Sequence, residues 1–411
     1  MSRMPSTEYL LIGGGLAASR AARRIRKLDA DGAITLVTAE PHAPYDRPPL
    51  SKEFLRGEVA EEKLFYQSPD ELRGSGVDLV TATRVVALDP DAHSAALAGG
   101  ERYRFQKALL ATGGRPVALD VPGADLDGVH YLRTLDDAKA LAAEAGQGKR
   151  IAVVGAGFIG MEVASSLTQL GCEVEVVETA PRVWARFADE TLSRFFQRYC
   201  EERGVRFRTG ERTTAIRGNG RVTALETASG TRIPCDAVLI AVGIRPNVEL
   251  AADAGLDVDD GIVVDASMRT SHPDVYAAGD AVRFPDPIFG RRRRVEHWGH
   301  ADASGRVAGE SMAGAERVYD SVSYVWSDVF DLHLEFAGDE QTCDRTLLRG
   351  DPASGSFTLL YLRRDRLTAF FSVGGNPRDL VPLKKLIKEG APLTGREREL
   401  ADPGFPVRDL L

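Results

Sequence analysis

Residues Gly13-Gly14-Gly15-Leu16-Ala17-Ala18 spell G-x-G-x-x-A directly after the apolar run 9–12, and Gly155-Ala156-Gly157-Phe158-Ile159-Gly160 spell a complete G-x-G-x-x-G after the apolar run 150–154. The chemistry of such turns is specific. The first glycine permits a tight turn, and the second lets backbone N–H groups approach a pyrophosphate. The last small residue lets a helix pack close to the strand, and the helix N-terminus then faces the negative charge. In the first turn these roles fall to Gly13, Gly15 and the pair Ala17 and Ala18. In the second they fall to Gly155, Gly157 and Gly160. Each motif is followed by an acid, Glu40 in one case and Glu178 in the other. Glu178 lies 18 residues past Gly160, near the roughly 20 at which a carboxylate meets a ribose. Glu40 would accept both ribose hydroxyls of an adenosine. A carboxylate at Glu178 bonds a free ribose 2′-hydroxyl and repels a 2′-phosphate, which favours NADH over NADPH. Arg182 is the counter-signal, since an arginine reaches a phosphate; it is read here as a solvated loop charge.

The elements that must position these residues follow from the pattern. Strand 9–12, helix 19–28 and strand 34–37 form one unit, and strand 150–154, helix 161–170 and strand 173–177 form another. The expected fold class is therefore α/β, with two Rossmann-like dinucleotide-binding domains. The 411 residues fit two to three domains. With 43% hydrophobic residues the chain is neither disordered nor fibrous. No apolar run approaches the roughly 18 residues of a membrane span. Because the run 9–12 meets glycines at once, it reads as neither signal peptide nor anchor, and the expected address is the cytoplasm. A net charge of −8 argues against sequence-wide nucleic-acid binding. Cys172, Cys200, Cys235 and Cys343 are scattered with no CxxC, which argues against zinc, iron–sulfur and dithiol sites and leaves packed thiols.

Further strings carry a family resemblance. KALLATGG at 107–114 looks like the join between an FAD and an NAD domain. VLIAVGIRPN at 238–247, with Gly243, looks like the return crossing. DVYAAGDAVR at 274–283 looks like a second FAD fingerprint. The order resembles the two-dinucleotide flavoprotein disulfide-reductase superfamily, glutathione-reductase-like in fold. Members with a redox-active thiol carry it shortly after the first glycine turn; here that stretch is PYDRPPLSK, without cysteine. PYDRPPLSK closely resembles the signature of bacterial FAD-dependent NADH:ferredoxin reductases, the putidaredoxin, rubredoxin and aromatic-ring-dioxygenase types. YLRTLDD at 131–137 and EHW at 296–298 agree.

The resemblance implies roles. Lys52 looks like the lysine beside the reactive nitrogen of the flavin, Glu162 like the acid near the nicotinamide and paired with that lysine. Arg47 and Arg133 look like basic flavin contacts and Trp298 like the aromatic beside the ring. Val85 takes the place of a residue whose backbone meets the adenine, Thr112 and Gly113 sit in the ATG turn, and Asp280 would bond the ribityl chain. From the residues alone, Lys52 is a solvated charge, Trp298 and Val85 are core, Arg133 caps a helix starting near Leu135, and Glu162 complements a helix dipole. His297 and His300 form a pair with no further metal-ligand cluster, so no metal is expected.

Two departures keep a second reading open. Ala39 stands where the group often has Asp. HWGH at 297–300, followed by SGRVAGE, also resembles bacterial relatives of apoptosis-inducing factor, hence an NADH oxidase or a flavin-based NADH sensor. The implied division is an FAD domain at 1–115 and 245–320, an NAD domain at 116–244 and a C-terminal α/β domain at 321–411. The implied activity passes electrons from NADH through FAD to a [2Fe–2S] ferredoxin that feeds a monooxygenase or dioxygenase, by a monomer or homodimer. Arg291, Arg292, Arg293 and Arg294 are either a docking patch for that acidic partner or a solvated hairpin, with Lys384, Lys385 and Lys388 the next docking candidates.

Overall fold

The structure, a computed structural model, describes residues 4–185 and 188–411. It divides into two compact units. The first takes in residues 4–46, 64–115 and 246–325, and the second 47–63, 116–245 and 326–411.

The first unit is built on a seven-stranded sheet. Val77–Val80, Ile34–Val37, Ser6–Ile12 and Arg102–Leu110 run side by side in parallel, Val275–Ala277 adds in parallel to the last of these, and Ser94–Leu97 and Val85–Asp89 continue it antiparallel. Helix Leu16–Leu28 starts at the glycine turn and buries Ala17, Ala18, Ala21, Ala22 and Ile25 on one face, leaving its basic residues to the other. That small-residue face meets helix Trp298–Met312 at near-contact of the backbones. A Cβ on Gly309 would lie 2.6 Å from the Ala21 carbonyl oxygen, and Gly305 is as close to Ala17.

The second unit carries a parallel sheet ordered Arg206–Thr209, Glu173–Glu178, Arg150–Val154, Ala237–Ile240, Val129–His130. A three-stranded antiparallel sheet lies between its last strands in sequence. The C-terminal five-stranded sheet runs Tyr324–Val329, Leu332–Gly338, Arg366–Val373, Ser356–Arg363, Arg345–Asp351, followed by helix Pro377–Glu389. It does not stand apart as a unit of its own. Phe195 and Phe196 of helix Glu190–Glu201 stack edge-on against Phe357 and Phe371 at centroid distances of 5.0 and 6.2 Å, and Trp184 fills the gap between them. Segment 47–63, expected with the first glycine turn, belongs to the second unit because Ser51 and Lys52 bury their side chains there. Among the described residues no helix is long and apolar enough to cross a membrane.

Candidate functional site

In the first unit, Gly13 has φ +132° and a Cβ there would collide with the Ala111 carbonyl, so the turn needs glycine both for its backbone angle and for space. Gly15 caps the helix start, and the space a Cβ would occupy is open to 4 Å, which leaves the first-turn N–H groups accessible. Ala18 is fully buried and Ala17 packs toward Gly279, so both serve the close approach of elements. Glu40 accepts from the Tyr45 hydroxyl at 2.5 Å, and the buried Tyr45, inside the PYDRPPLSK string but not singled out there, holds this carboxylate. Val85 is buried in its strand. Thr112 and Gly113 are tied to Asn247 by three hydrogen bonds of 2.7 to 2.9 Å, which join the two chain crossings of this unit.

Asp280 follows Gly279, whose N–H donates to the Ser304 hydroxyl at 3.0 Å. Trp298 opens its helix half-buried, and its indole N–H donates to Asp46 at 3.1 Å; the Tyr66 hydroxyl donates to the same oxygen at 2.8 Å. Asp46 and Tyr66 were not legible as site residues, because nothing in sequence ties them to residue 298. Desolvation holds His297 and His300 neutral, with pKa values pushed down to about 3 and about 4. Their Nδ1 atoms pair with the hydroxyls of Ser323 and Tyr319 at 2.9 and 3.1 Å. Among the described residues no group of metal-ligating side chains is assembled.

In the second unit, Gly155 (φ +103°) would place a Cβ 2.5 Å from the Ala241 carbonyl, and Gly157 caps its helix with open space in front. Gly160 touches the turn itself, leaving no room for a side chain. Glu178 is half-buried, and its two oxygens accept the N–H groups of Ala156 and Ala180, each at 2.7 Å. The acid is thereby clamped to the glycine turn. Arg182 differs from the expected solvated charge: its guanidinium donates to the Ala188 carbonyl at 2.8 Å and lies 3.3 Å from the Ser193 hydroxyl. Trp184, which no sequence motif singled out, takes φ +54°, buries its ring and donates its backbone N–H to the Ala156 carbonyl at 3.1 Å. Gly243 has φ +114° with open space around it.

Lys52 and Glu162 come together in this same unit. Lys52 ends the short helix Pro48–Ser51, Glu162 lies on helix Phe158–Gln169, and Nζ–Oε2 is 2.8 Å with exposures of 3% and 4%. The solvated-charge expectation for Lys52 is thus replaced by a buried pair. Ser51 donates to Glu162 Oε2 and Ser327 to Oε1, so with Lys52 three donors hold the carboxylate. Arg47 donates to the Arg133 carbonyl. The helix after Arg133 is capped by Thr134 in a reciprocal box with Asp137, so capping is not the work of the Arg133 side chain.

Arg291, Arg292 and Arg293 form a strand paired antiparallel with Val282–Asp286. Arg291 and Arg292 are exposed, with Arg292 also donating to the Val264 carbonyl at 2.8 Å. Arg293 lies 3.6 Å from the buried Asp286, and Arg294 bridges Glu296 and Asp260. On the C-terminal helix, Lys384 pairs with Glu335 at 2.8 Å and Lys385 with Glu389 at 3.7 Å.

The residues fit two dinucleotides. Each unit offers an unobstructed helix N-terminus after a glycine turn that no other residue could form. Each has a carboxylate at the end of the next strand, and its roughly four acceptor positions leave room for ribose hydroxyls beside the bonds already made. All four cysteines are free thiols. Burial pushes Cys200 and Cys235 up to about 12 and raises Cys172 and Cys343, so none is an accessible thiolate at neutral pH.

Comparison with known proteins gives the same extent. Residues 7–305 match the family model described as pyridine nucleotide-disulphide oxidoreductase, and residues 324–411 match one described as reductase C-terminal. The ferredoxin–NAD(+) reductase component of the anthranilate 1,2-dioxygenase system of Burkholderia cepacia is 37% identical over 99% of this chain and 100% of its own. A probable ferredoxin reductase of Castellaniella defragrans is 38% identical over 98% of each. Among solved structures, the covalent putidaredoxin reductase–putidaredoxin complex superposes with a TM-score of 0.94 at 32% identity, covering 98% of both chains.

Proposed function

Because the chain belongs to the pyridine nucleotide-disulphide oxidoreductase family, we propose that it is an FAD-dependent NADH:ferredoxin reductase. It passes electrons from NADH through FAD to a [2Fe–2S] ferredoxin that supplies a monooxygenase or a ring-hydroxylating dioxygenase. The observation that carries this reading is a pair of carboxylate-backed glycine turns in a chain with no reactive thiol, where the segment that holds cysteine in the thiol-dependent members of the superfamily it resembles supplies Lys52, buried against Glu162. Without a thiol to receive them, electrons must leave to an external acceptor. The full-length relatives are named as ferredoxin reductases, which supports a ferredoxin as that acceptor.

Bound FAD supplies the conversion of a two-electron donor into one-electron steps. The chain's own residues bind and orient. Gly13, Gly15, Ala17 and Ala18 form the cradle for the FAD pyrophosphate, and Glu40 takes its ribose. The Val85 backbone would meet the adenine and Asp280 the ribityl chain of bound FAD, with Thr112 and Gly113 shaping the nearby turn. Arg47, Arg133 and Trp298 are assigned as residues that would contact the flavin. Gly155, Gly157 and Gly160 would hold the NADH pyrophosphate, Glu178 would select the free 2′-hydroxyl, and Gly243, with open space around it, is assigned to cofactor binding. Lys52, its charge countered by Glu162, is the residue that would face the reacting nitrogen of a bound flavin. The FAD domain is assigned to 1–115 and 245–320, the NAD domain to 116–244 and the reductase domain to 321–411, in a cytoplasmic protein.

Arg291 and Arg292 are assigned to ferredoxin docking, because both are exposed on their strand. The test is cytochrome c reduction under NADH with a panel of purified ferredoxins. Turnover that requires a [2Fe–2S] ferredoxin, falls with salt and weakens in Arg291→Gln/Arg292→Gln supports the reading. NADH consumption that is indifferent to every ferredoxin and coupled only to oxygen overturns it in favour of an oxidase.

A further inference from the structure

We propose that Ser327 is a positioning residue for the Lys52–Glu162 pair, through which the C-terminal reductase segment sets how fast NADH reduces the flavin; this rests on the roles given to Lys52 and Glu162 above. Ser327 lies on strand Tyr324–Val329 and is completely buried. Its hydroxyl donates to Glu162 Oε1 at 2.6 Å, while Lys52 and Ser51 both bond Oε2. The two oxygens are thus served from different parts of the chain, and Ser327 is the donor on Oε1.

Geometry gives this one hydroxyl leverage. The terminal torsion of a glutamate is broad and roughly two-fold, so the plane of the carboxylate is set by its partners and not by a rotamer well. A buried ion pair holds its arrangement only when the lone pairs outside the pair are also satisfied. Without Ser327 the carboxylate keeps its charge on one side and an unserved oxygen on the other. It is then free to turn, and Lys52, which among the described residues has Glu162 and Ser51 at hydrogen-bond distance, turns with it. Removing the positive end of the hydroxyl dipole also makes the potential at the site more negative, which disfavours adding electrons to a flavin there.

The rival explanation is that Ser327 merely fastens the C-terminal strand to helix Phe158–Gln169. The structure contains the control. One residue beyond that strand, the Phe330 N–H donates to the hydroxyl of Ser165 at 2.6 Å. Ser165 lies almost one turn past Glu162 on the same helix and does not touch the carboxylate. Both bonds fasten the same two elements, but only one orients Glu162.

The experiment compares full-length, flavin-loaded Ser327→Ala, Ser327→Thr and Ser165→Ala with wild type. It measures the stopped-flow rate constant for flavin reduction by NADH, the NADH dissociation constant, the flavin midpoint potential and the thermal midpoint. Ser327→Ala is expected to slow reduction about tenfold, with NADH binding within about twofold and a more negative potential. Ser327→Thr, which keeps the hydroxyl, recovers most of the rate. Ser165→Ala lowers the thermal midpoint at least as much but leaves rate and potential unchanged. Where Ser327→Ala does not purify with flavin, Ser327→Cys, similar in size but a weak donor, is read by the same criteria. Wild-type rate and potential in Ser327→Ala, or equal slowing in Ser165→Ala, overturn the proposal. A wild-type protein that NADH does not reduce overturns the functional reading instead.

Discussion

The Lys52 ammonium lies 2.8 Å from the Glu162 carboxylate, and both groups are almost wholly withdrawn from solvent. A charge in such a place is stable only with its partner, so the two residues constrain each other more tightly than any surface pair would. The PYDRPPLSK segment thus delivers a cation into the protein interior, and Glu162 fixes it there.

Lys52→Met should leave the Glu162 carboxylate with only the hydroxyls of Ser51 and Ser327. Stability should fall by about 3 kcal/mol, the lower end for breaking a buried pair, because two donors remain. Flavin reduction by NADH should slow by about a hundredfold or more. Urea unfolding and stopped-flow absorbance check the two effects separately, and a variant with wild-type reduction kinetics would remove Lys52 from the chemistry.

Gly13 and Gly15 should respond differently to alanine. At Gly13 the side chain meets the Ala111 carbonyl in a left-handed backbone, so Gly13→Ala should fail to fold or retain flavin. At Gly15 the backbone is extended and the space is open, so Gly15→Ala should fold with a near-native thermal midpoint. Its methyl group would instead stand in the approach of a pyrophosphate, and FAD should dissociate more readily. The ratio of absorbance at 450 to 280 nm after dialysis, roughly halved or lower with intact far-UV circular dichroism, is the expected signature.

Glu178→Ala should weaken NADH by about 1.5–3 kcal/mol, the value of a charged hydrogen bond, and relieve repulsion of NADPH. The gain for NADPH should be small, because Arg182 is spent on the Ala188 carbonyl and the Ser193 hydroxyl. The ratio of kcat/KM for the two nucleotides should therefore fall mainly through loss on the NADH side. An unchanged ratio would show that Glu178 does not read the ribose.

Acid should destabilise the first unit through its buried histidines. His300 has its pKa lowered from 6.5 to about 4, and His297 to about 3, chiefly by desolvation. The unfolded chain therefore binds protons that the folded chain refuses. The stability these neutral rings contribute is complete above about pH 6.5 and declines as pH falls toward their folded values. Urea midpoints should drop between pH 7 and pH 5. In His300→Phe, which keeps an aromatic ring against Phe284, that drop should shrink. A parallel pH dependence in variant and wild type would assign the effect to carboxylates.

The two glycine turns, their strands and helices and the trailing acids were legible from sequence because each is a local device. Strand, turn, helix and acid lie within about 30 residues, and the geometry that needs glycine is set by immediate neighbours and by one strand alongside. The family resemblance was legible for the same reason, since short contiguous strings carry it. What only the tertiary structure decided are pairings between residues far apart in the chain. The indole of Trp298 is held by Asp46, and the Glu162 carboxylate by Ser51 and Ser327 as well as Lys52. Burial decided these. A serine, tyrosine or aspartate in a polar stretch has no sequence signature that separates a solvated group from a buried one, because the difference lies in which distant element covers it. The same holds for the arginine run. Four adjacent arginines read as a single charge patch, but strand pairing points successive side chains to opposite faces and brings Asp286 and Glu296 within reach of two of them. Composition sets how much charge the chain carries, and only packing sets how much of it is already neutralised.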